Sequence, residues 1–319
     1  MTALVGQGGR QAVAFMPNEG QREAVLAYCR IAEASGALVS TKDLVELLAI
    51  DVTEQELQEG ITTDESLSSK VVVESGLVAL ISPGSDRLTA RKAIEEGLRR
   101  RKRATSNIEA ARVFARLFSK DAMFVAVAGT NSYLSAVEGD DIDYYCITKT
   151  DGMWAFMLKA LLLSRVRSIV RRDAAPLCFS YVMDERKVMD DSRPRTAVHA
   201  RDTLTAKVIS GEATYHAILE HEKWMRSYFP AIYDRRMREM GSRPVQQPPA
   251  AHGSHAINSW LYLTLGSYLA LKAWILNRKL AKQGRRGAVF KTWVEPGRLE
   301  YASRRYEELG KMYQTLEKR

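Results

Sequence analysis

Hydrophobic positions along the chain fall into three successive regimes. In the first, Val25, Leu26, Tyr28 and Ile31 recur near helical spacing between Gln21 and Ala34. Further helices are predicted over Lys42 to Ala49 behind a Ser40-Thr41 cap, after Thr53, and over Asp64 to Lys70. Two β-branched runs flanking Ser75-Gly76 then predict a hairpin between Lys70 and Ile81, and Leu88 to Phe118 returns to a helical pattern. In the second regime the apolar runs are short and continuous. Met123 to Ala128 stops at Gly129 and Asp141 to Ile147 is aromatic and β-branched, so both predict strands, with weakly helical Asn131 to Asp140 between them. A helix over Met153 to Arg172, apolar first and basic second, and a third strand over Leu177 to Met183 follow. The third regime reads as helices over Asp202 to Tyr228, a loop at Gln246 to Ser254, the apolar segment Ser259 to Leu276, and a charged helix from Pro296 to Arg319 that packs through Leu299, Tyr306, Leu309 and Tyr313.

This order predicts an α+β protein: a small mixed sheet flanked by helices, preceded by a winged-helix-like module and followed by a helical C-terminal region. The expected boundaries are an arm over 1–20, the three-helix-and-hairpin module over 21–86, the sheet domain over 87–200, a helical extension over 201–243, a linker over 244–258 and the helical region 259–319. The module's third helix (EQELQEG, TTDESL) is acidic where a groove-reading helix is basic, which favours a packing or protein-contact role over DNA binding. Ser259 to Leu276 has about the length of a membrane span. Lys272, Thr264, Ser267 and two tyrosines dilute it, however, so it is expected to be a buried helix, with membrane association disfavoured. Its basic flank of Arg278, Lys279, Lys282, Arg285 and Arg286 suits an anionic partner.

At 319 residues, 46% hydrophobic and 27% charged, the chain has the composition of a folded enzyme or binder and not of a disordered segment. Its formal charge of +9 draws polyanions such as RNA or anionic lipid. Arg99, Arg100, Arg101, Lys102 and Arg103 concentrate that charge and are candidate nucleic-acid contacts, a solvated connecting helix being the plainer account. Cys29, Cys146 and Cys178 lie far apart with no Cys-x-x-Cys pair, which fits a reducing, cytoplasmic setting, and the N-terminal residues lack the form of a secretory signal. His216 and His221 stand five apart, which does not stack two imidazoles on one helical face, so zinc is not expected.

Side chains alternate along a strand, so Asp141 and Asp143 share one face while Ile142 points to the core. Two such carboxylates repel unless a cation lies between them, and a hard divalent ion suits oxygen ligands. The glycine that ends the preceding strand leaves room for backbone N–H groups and the Thr130 hydroxyl to meet an anionic ligand.

An apolar strand, Gly129-Thr130, about ten residues and then Asp141-Ile142-Asp143 resembles the signature of the nucleotidyltransferase superfamily, with its DNA polymerase β-like fold. The pieces GTNSYLSAVEGDDIDYYCITKTDGMW, PLCFSYVMDERKV and ARDTLTAKVISGEATYHAILEHEKWMRSYFP resemble its bacterial and archaeal members that carry a winged-helix-like front, over roughly Ser106 to Pro230. The resemblance implies Mg²⁺ or Mn²⁺ on Asp141 and Asp143 and nucleotide contacts at Gly129 and Thr130, with Ser132 and Lys149 as further candidates. Many members carry a third carboxylate inside a later strand. Here that strand offers Ser180 and Tyr181, so Asp184 at its end is the expected substitute and Glu185 the next. The implied activity moves a nucleoside monophosphate from a nucleoside triphosphate to an acceptor hydroxyl, on tRNA or another RNA, a protein or a small molecule. The alternative is a non-catalytic nucleotide- or RNA-binding protein that keeps a degenerate version of the fold. Oligomeric state is left open.

Overall fold

The computed structural model describes residues 15–172, 174–188, 195–241, 253–284, 289–303 and 305–317. Most of the expected arm, the linker residues 244–252, and Arg285 and Arg286 lie outside them. The chain divides into two compact units, one formed by residues up to 30 together with 38–95, the other by 31–37 with 96–319.

The first unit runs α1 (Glu19–Ala34), β1 (Val39–Ser40), α2 (Thr41–Leu48), α3 (Glu54–Thr63), α4 (Glu65–Ser68), β2 (Val71–Glu74) and β3 (Leu77–Leu80). Local chemistry sets these starts: the Ser40 side chain accepts from Asp43 N, and Thr53 and Glu56 form a reciprocal capping box. Ser75 and Gly76 both have positive φ, the geometry a two-residue hairpin needs, and join β2 to β3 in an antiparallel sheet of order β1-β3-β2. Leu77, Ala79, Val72 and, from the next helix, Ala90 and Ile94 form its buried cluster. An open hollow in this unit, lined by Thr41, Glu54, Gln55, Gln58, Glu59, Thr62 and Gly76, contains none of the predicted site residues.

α5 (Arg87–Ala115) is one helix of 29 residues. The second unit continues with β4 (Ala122–Val127), α6 (Gly129–Ser132), β5 (Ile142–Thr148), α7 (Met153–Val170), β6 (Leu177–Asp184), α8 (Glu185–Val188), α9 (Ala197–Thr205), β7 (Lys207–Ser210), α10 (Glu212–His221), α11 (Met225–Tyr228) and α12 (Pro230–Gly241). α13 (His255–Leu261), a π-helical turn (Tyr262–Gly266), α14 (Ser267–Lys282), β8 (Phe290–Glu295), β9 (Arg298–Ser303) and α15 (Arg305–Glu317) complete it. Its sheet has the order β7-β4-β5-β6-β9-β8, with β5 and β6 parallel and the other pairs antiparallel. The protein is therefore α+β, a mixed sheet flanked by helices.

One sheet face carries Val125, Val127, Ile142, Tyr144, Cys146 and Val182 into a core shared with α5, α7 and the α13–α14 region. Phe118 sits at its centre, edge-to-face with Phe114, Tyr144, Phe156 and Phe179. Trp154, fully buried, ties distant segments to this core: its backbone N–H donates to Asn258 Oδ1 (2.9 Å) and its indole to the Pro296 carbonyl (3.0 Å).

Three sequence expectations need correcting. Residues 290–303 do not continue a helix but form a hairpin whose β9 pairs with β6, so the C-terminal region is not wholly helical and only Arg305–Glu317 keeps the expected form. Pro296-Gly297 supplies the turn, and Trp293, Val294, Leu299 and Tyr301 find partners across a sheet that the high charge of the segment obscures. Lys207–Ser210, expected within helices, is an edge strand on β4. It is closed by Gly211 at φ +85, where a Cβ would meet the Met123 carbonyl at 2.0 Å. Finally, the apolar segment 259–276 is helical but not buried: Leu261, Leu269 and Ala273 form a narrow inward stripe, while Trp260, Leu263 and Trp274 lie outward.

A candidate metal and nucleotide site at the start of β5

β4 and β5 run antiparallel, Val127 opposite Tyr144, and the Ala128 N–H donates to the Asp143 carbonyl at 2.9 Å. The end of one strand and the beginning of the next therefore meet. Gly129 turns the chain at φ +62, and a Cβ there would stand 2.4 Å from Asp143 Oδ2. Glycine lets the backbone pass this close to that carboxylate without strain. Residues 129–132 make a single helical turn. Within it Asn131, fully buried, donates to the Asp141 carbonyl (2.8 Å) and accepts from Asn107 of α5 (2.9 Å). Asn131 thus holds the backbone of the first acid in place, a role the sequence offers no signal for.

Asp141, Asp143 and Cys178 each offer a ligand atom, and these atoms lie within 4.8 Å of one another. Cys178 enters because β5 and β6 are parallel with Asp143 opposite Cys178. Sequence reasoning missed it, since the register that sets Asp143 opposite Cys178 pairs residues far apart in the chain and is not local information. Burial above all, and then the charge of Asp141, push the Asp143 carboxyl up to about 7, against hydrogen bonds from Ser180 and Cys178 that pull it down. Burial raises Asp141 as well, and burial followed by the two acids holds the Cys178 thiol well above its ordinary range. Two acids crowded beside a thiol favour a compensating charge, which a divalent ion would supply. The two carboxylates suit Mg²⁺ or Mn²⁺, and the sulfur favours the softer Mn²⁺.

The other predicted residues divide. Thr130 is half-exposed beside the acids. Ser132 is buried and donates to the Gly129 carbonyl (2.9 Å), so it braces the turn. Asp184 does not join the site. It lies opposite Thr148 at the far end of β5, about 17 Å from Asp143 at ordinary strand rise, because the parallel register carries the end of β6 away. There it is fully buried, paired with Arg186 (3.0 Å) and accepting from Asp151 N (2.9 Å), a structural ion pair. Glu185 is similarly spent on Thr150, accepting from its N–H at 2.8 Å. Lys149 follows Thr148 at that same far end, about 20 Å from Asp143, and is likewise removed from the acid pair.

The basic run on α5 is also divided. Arg99 and Arg100 pair with Glu96 (2.9 and 3.1 Å), and Arg100 also donates to the Gly36 carbonyl. Arg103 reaches the Ala136 carbonyl (3.5 Å) in the loop that leads to Asp141. Among the described residues Arg101 and Lys102 have no acidic partner. No protein-family model matches the chain, and neither a curated protein nor a solved structure is similar to it.

Proposed function

We propose that the protein is a metal-dependent nucleotidyltransferase that moves a nucleoside monophosphate from a nucleoside triphosphate to an acceptor hydroxyl. The observation that carries this reading is the juxtaposition of Asp141 and Asp143 with a corner at Gly129, whose positive φ and close approach to the Asp143 carboxylate favour glycine. Asp141 and Asp143 would hold Mg²⁺ or Mn²⁺, with Cys178 beside them where a third carboxylate is common in the family the sequence resembles. When bound, such an ion neutralises triphosphate charge and lowers the pKa of the acceptor hydroxyl. The Gly129–Thr130 backbone and the Thr130 hydroxyl contribute donors for phosphate oxygens, and Asn131 keeps the turn in register with Asp141. In the reaction the acceptor hydroxyl releases its proton to water, its oxygen bonds to the α-phosphorus, the bond to the β-phosphate bridging oxygen breaks, and pyrophosphate leaves. Net charge, together with Arg101, Lys102 and Arg103, makes RNA the favoured acceptor, tRNA included. The helices and three-stranded sheet of the first unit support a winged-helix-like module, and acidic α3 supports a protein contact for it.

Replacement of the third carboxylate by a thiol supports a second reading, a binding platform that holds nucleotide or RNA without turnover. Purified protein incubated with each labelled triphosphate, Mn²⁺ or Mg²⁺, and total RNA separates the two. Label transferred to an acceptor and lowered at least about 100-fold by Asp143→Ala supports the enzyme, since one preorganised charge-stabilising group is commonly worth that much. Saturable triphosphate binding without transfer supports the platform, and the absence of both transfer and binding overturns the nucleotide reading.

A further inference from the structure

From α13 through α14 the chain is continuously helical, with a π-helical turn at Tyr262–Gly266. Its inward stripe is narrow, and the large apolar side chains elsewhere face solvent: Trp260 is 64% exposed, Leu263 66% and Trp274 56%. α7 behaves alike, with Leu162, Val166 and Val170 at 59%, 58% and 74%. α7 packs against α13 and the π-helical turn, linked by the Trp154 N–H to Asn258 Oδ1 and at Gly266, where an added Cβ would meet the Trp154 ring at 3.1 Å. Each of these outer faces carries more large apolar side chains than the scattered single residues of a soluble surface.

Charge decides what covers it. Neither α7 nor residues 255–282 contains an Asp or Glu, whereas they carry Lys159, Arg165, Arg167, Lys272, Arg278, Lys279 and Lys282. Lys159 is tied to Asp121, and Arg167 donates to the Ala175 carbonyl. Among the described residues Lys272, Lys279 and Lys282 have no acidic partner. A second copy docked on this face would oppose cations with cations. A phospholipid surface supplies acyl chains for the tryptophans and leucine and anions for the lysines, and Trp is the side chain best suited to that boundary. Arg278 stacks over Trp274 (5.3 Å), an amphipathic pair placing charge beside ring. Among the described residues no helix is long and apolar enough to cross a membrane. We infer that the outer face of α7 and α13–α14 docks the protein flat on an anionic lipid bilayer, without spanning it. This does not depend on the nucleotidyltransferase reading.

The test is co-sedimentation of the full chain with vesicles of phosphatidylcholine alone and of phosphatidylcholine doped with phosphatidylserine. Binding is expected to the doped vesicles only, to weaken as salt rises, and to shift tryptophan emission to the blue. Trp260→Ser with Trp274→Ser should abolish the shift and the binding. Lys272→Gln with Lys279→Gln and Lys282→Gln should lower partitioning at least about tenfold, since each basic residue near such a surface contributes measurably. All five positions are solvent-facing, and unchanged circular dichroism melts would show both variants folded. Absence of binding, equal binding to both vesicle types, or salt-sensitive binding that survives the tryptophan changes overturns the proposal. So does concentration-dependent dimerisation in gel filtration that the tryptophan changes abolish, which would assign the face to a second copy.

Discussion

At the scale of single residues, the chemistry concentrates at Asp143. Its carboxyl is raised from 3.8 to about 7, so the native metal-free state binds a proton more tightly than the unfolded chain does. The stabilisation from this group is therefore complete below pH 3.8 and is lost as pH rises to about 7, levelling off above. Asp141 is shifted in the same direction and adds to the trend. Thermal melts of metal-free protein should fall across that window, and Asp143→Asn should flatten most of the decline. Mn²⁺ should raise the melting temperature more above pH 7 than near pH 5, because only the ionised pair holds the ion. A pH-independent response to Mn²⁺ would remove the carboxylates from the binding site.

At the scale of elements, the parallel register of β5 with β6 separates two acids that lie in similar-looking motifs. Asp143 sits opposite Cys178, whereas Asp184 sits opposite Thr148 and serves Arg186 and the Asp151 N–H. Asp184→Ala should accordingly cost stability of about 1–3 kcal/mol by leaving the Asp151 and Arg186 backbone N–H groups without their acceptor, with turnover per folded molecule nearly unchanged. Asp143→Ala should do the reverse. Denaturant melts alongside the transfer assay check both. An Asp184 variant that stays fully stable but loses transfer would return the third carboxylate to catalysis. The strand, glycine corner and Asp-Ile-Asp order are legible in the sequence because each rests on local rules: hydrophobic runs, φ > 0 at Gly129, and alternation along β5. Cys178 is not legible, since nothing near it in the chain announces which strand it will oppose.

At the scale of the whole molecule, the C-terminal hairpin completes the sheet. Leu299, fully buried, enters the central core, and β9 covers the edge that β6 would otherwise expose. Truncation before residue 289 should yield a protein that aggregates on expression or melts well below the full chain, since an uncovered strand edge beside an opened core templates association. A truncated chain that is monomeric and equally stable would show the hairpin to be an accessory. The same scale explains why Ser259 to Leu276 is misread as a buried helix. Its apolar content is plain, but how many of its sides find partners depends on the neighbours, and α7 and β8 occupy only one.

By itself the sequence determined the elements governed by neighbours in the chain: the capped helices, the Ser75-Gly76 hairpin, the strands around Gly129, and the shared face of Asp141 and Asp143. Tertiary structure alone decided what depends on distant pairing. Strand register brought Cys178 to the acids and removed Asp184 and Lys149, and pairing with β6 turned a charged C-terminal stretch into strand. Packing on one narrow stripe left α14 with its aromatic face outward. The physical reason is common to all three: local preference sets a residue's conformation, but which residue stands opposite it is settled only when elements far apart in the chain bury their apolar faces against one another.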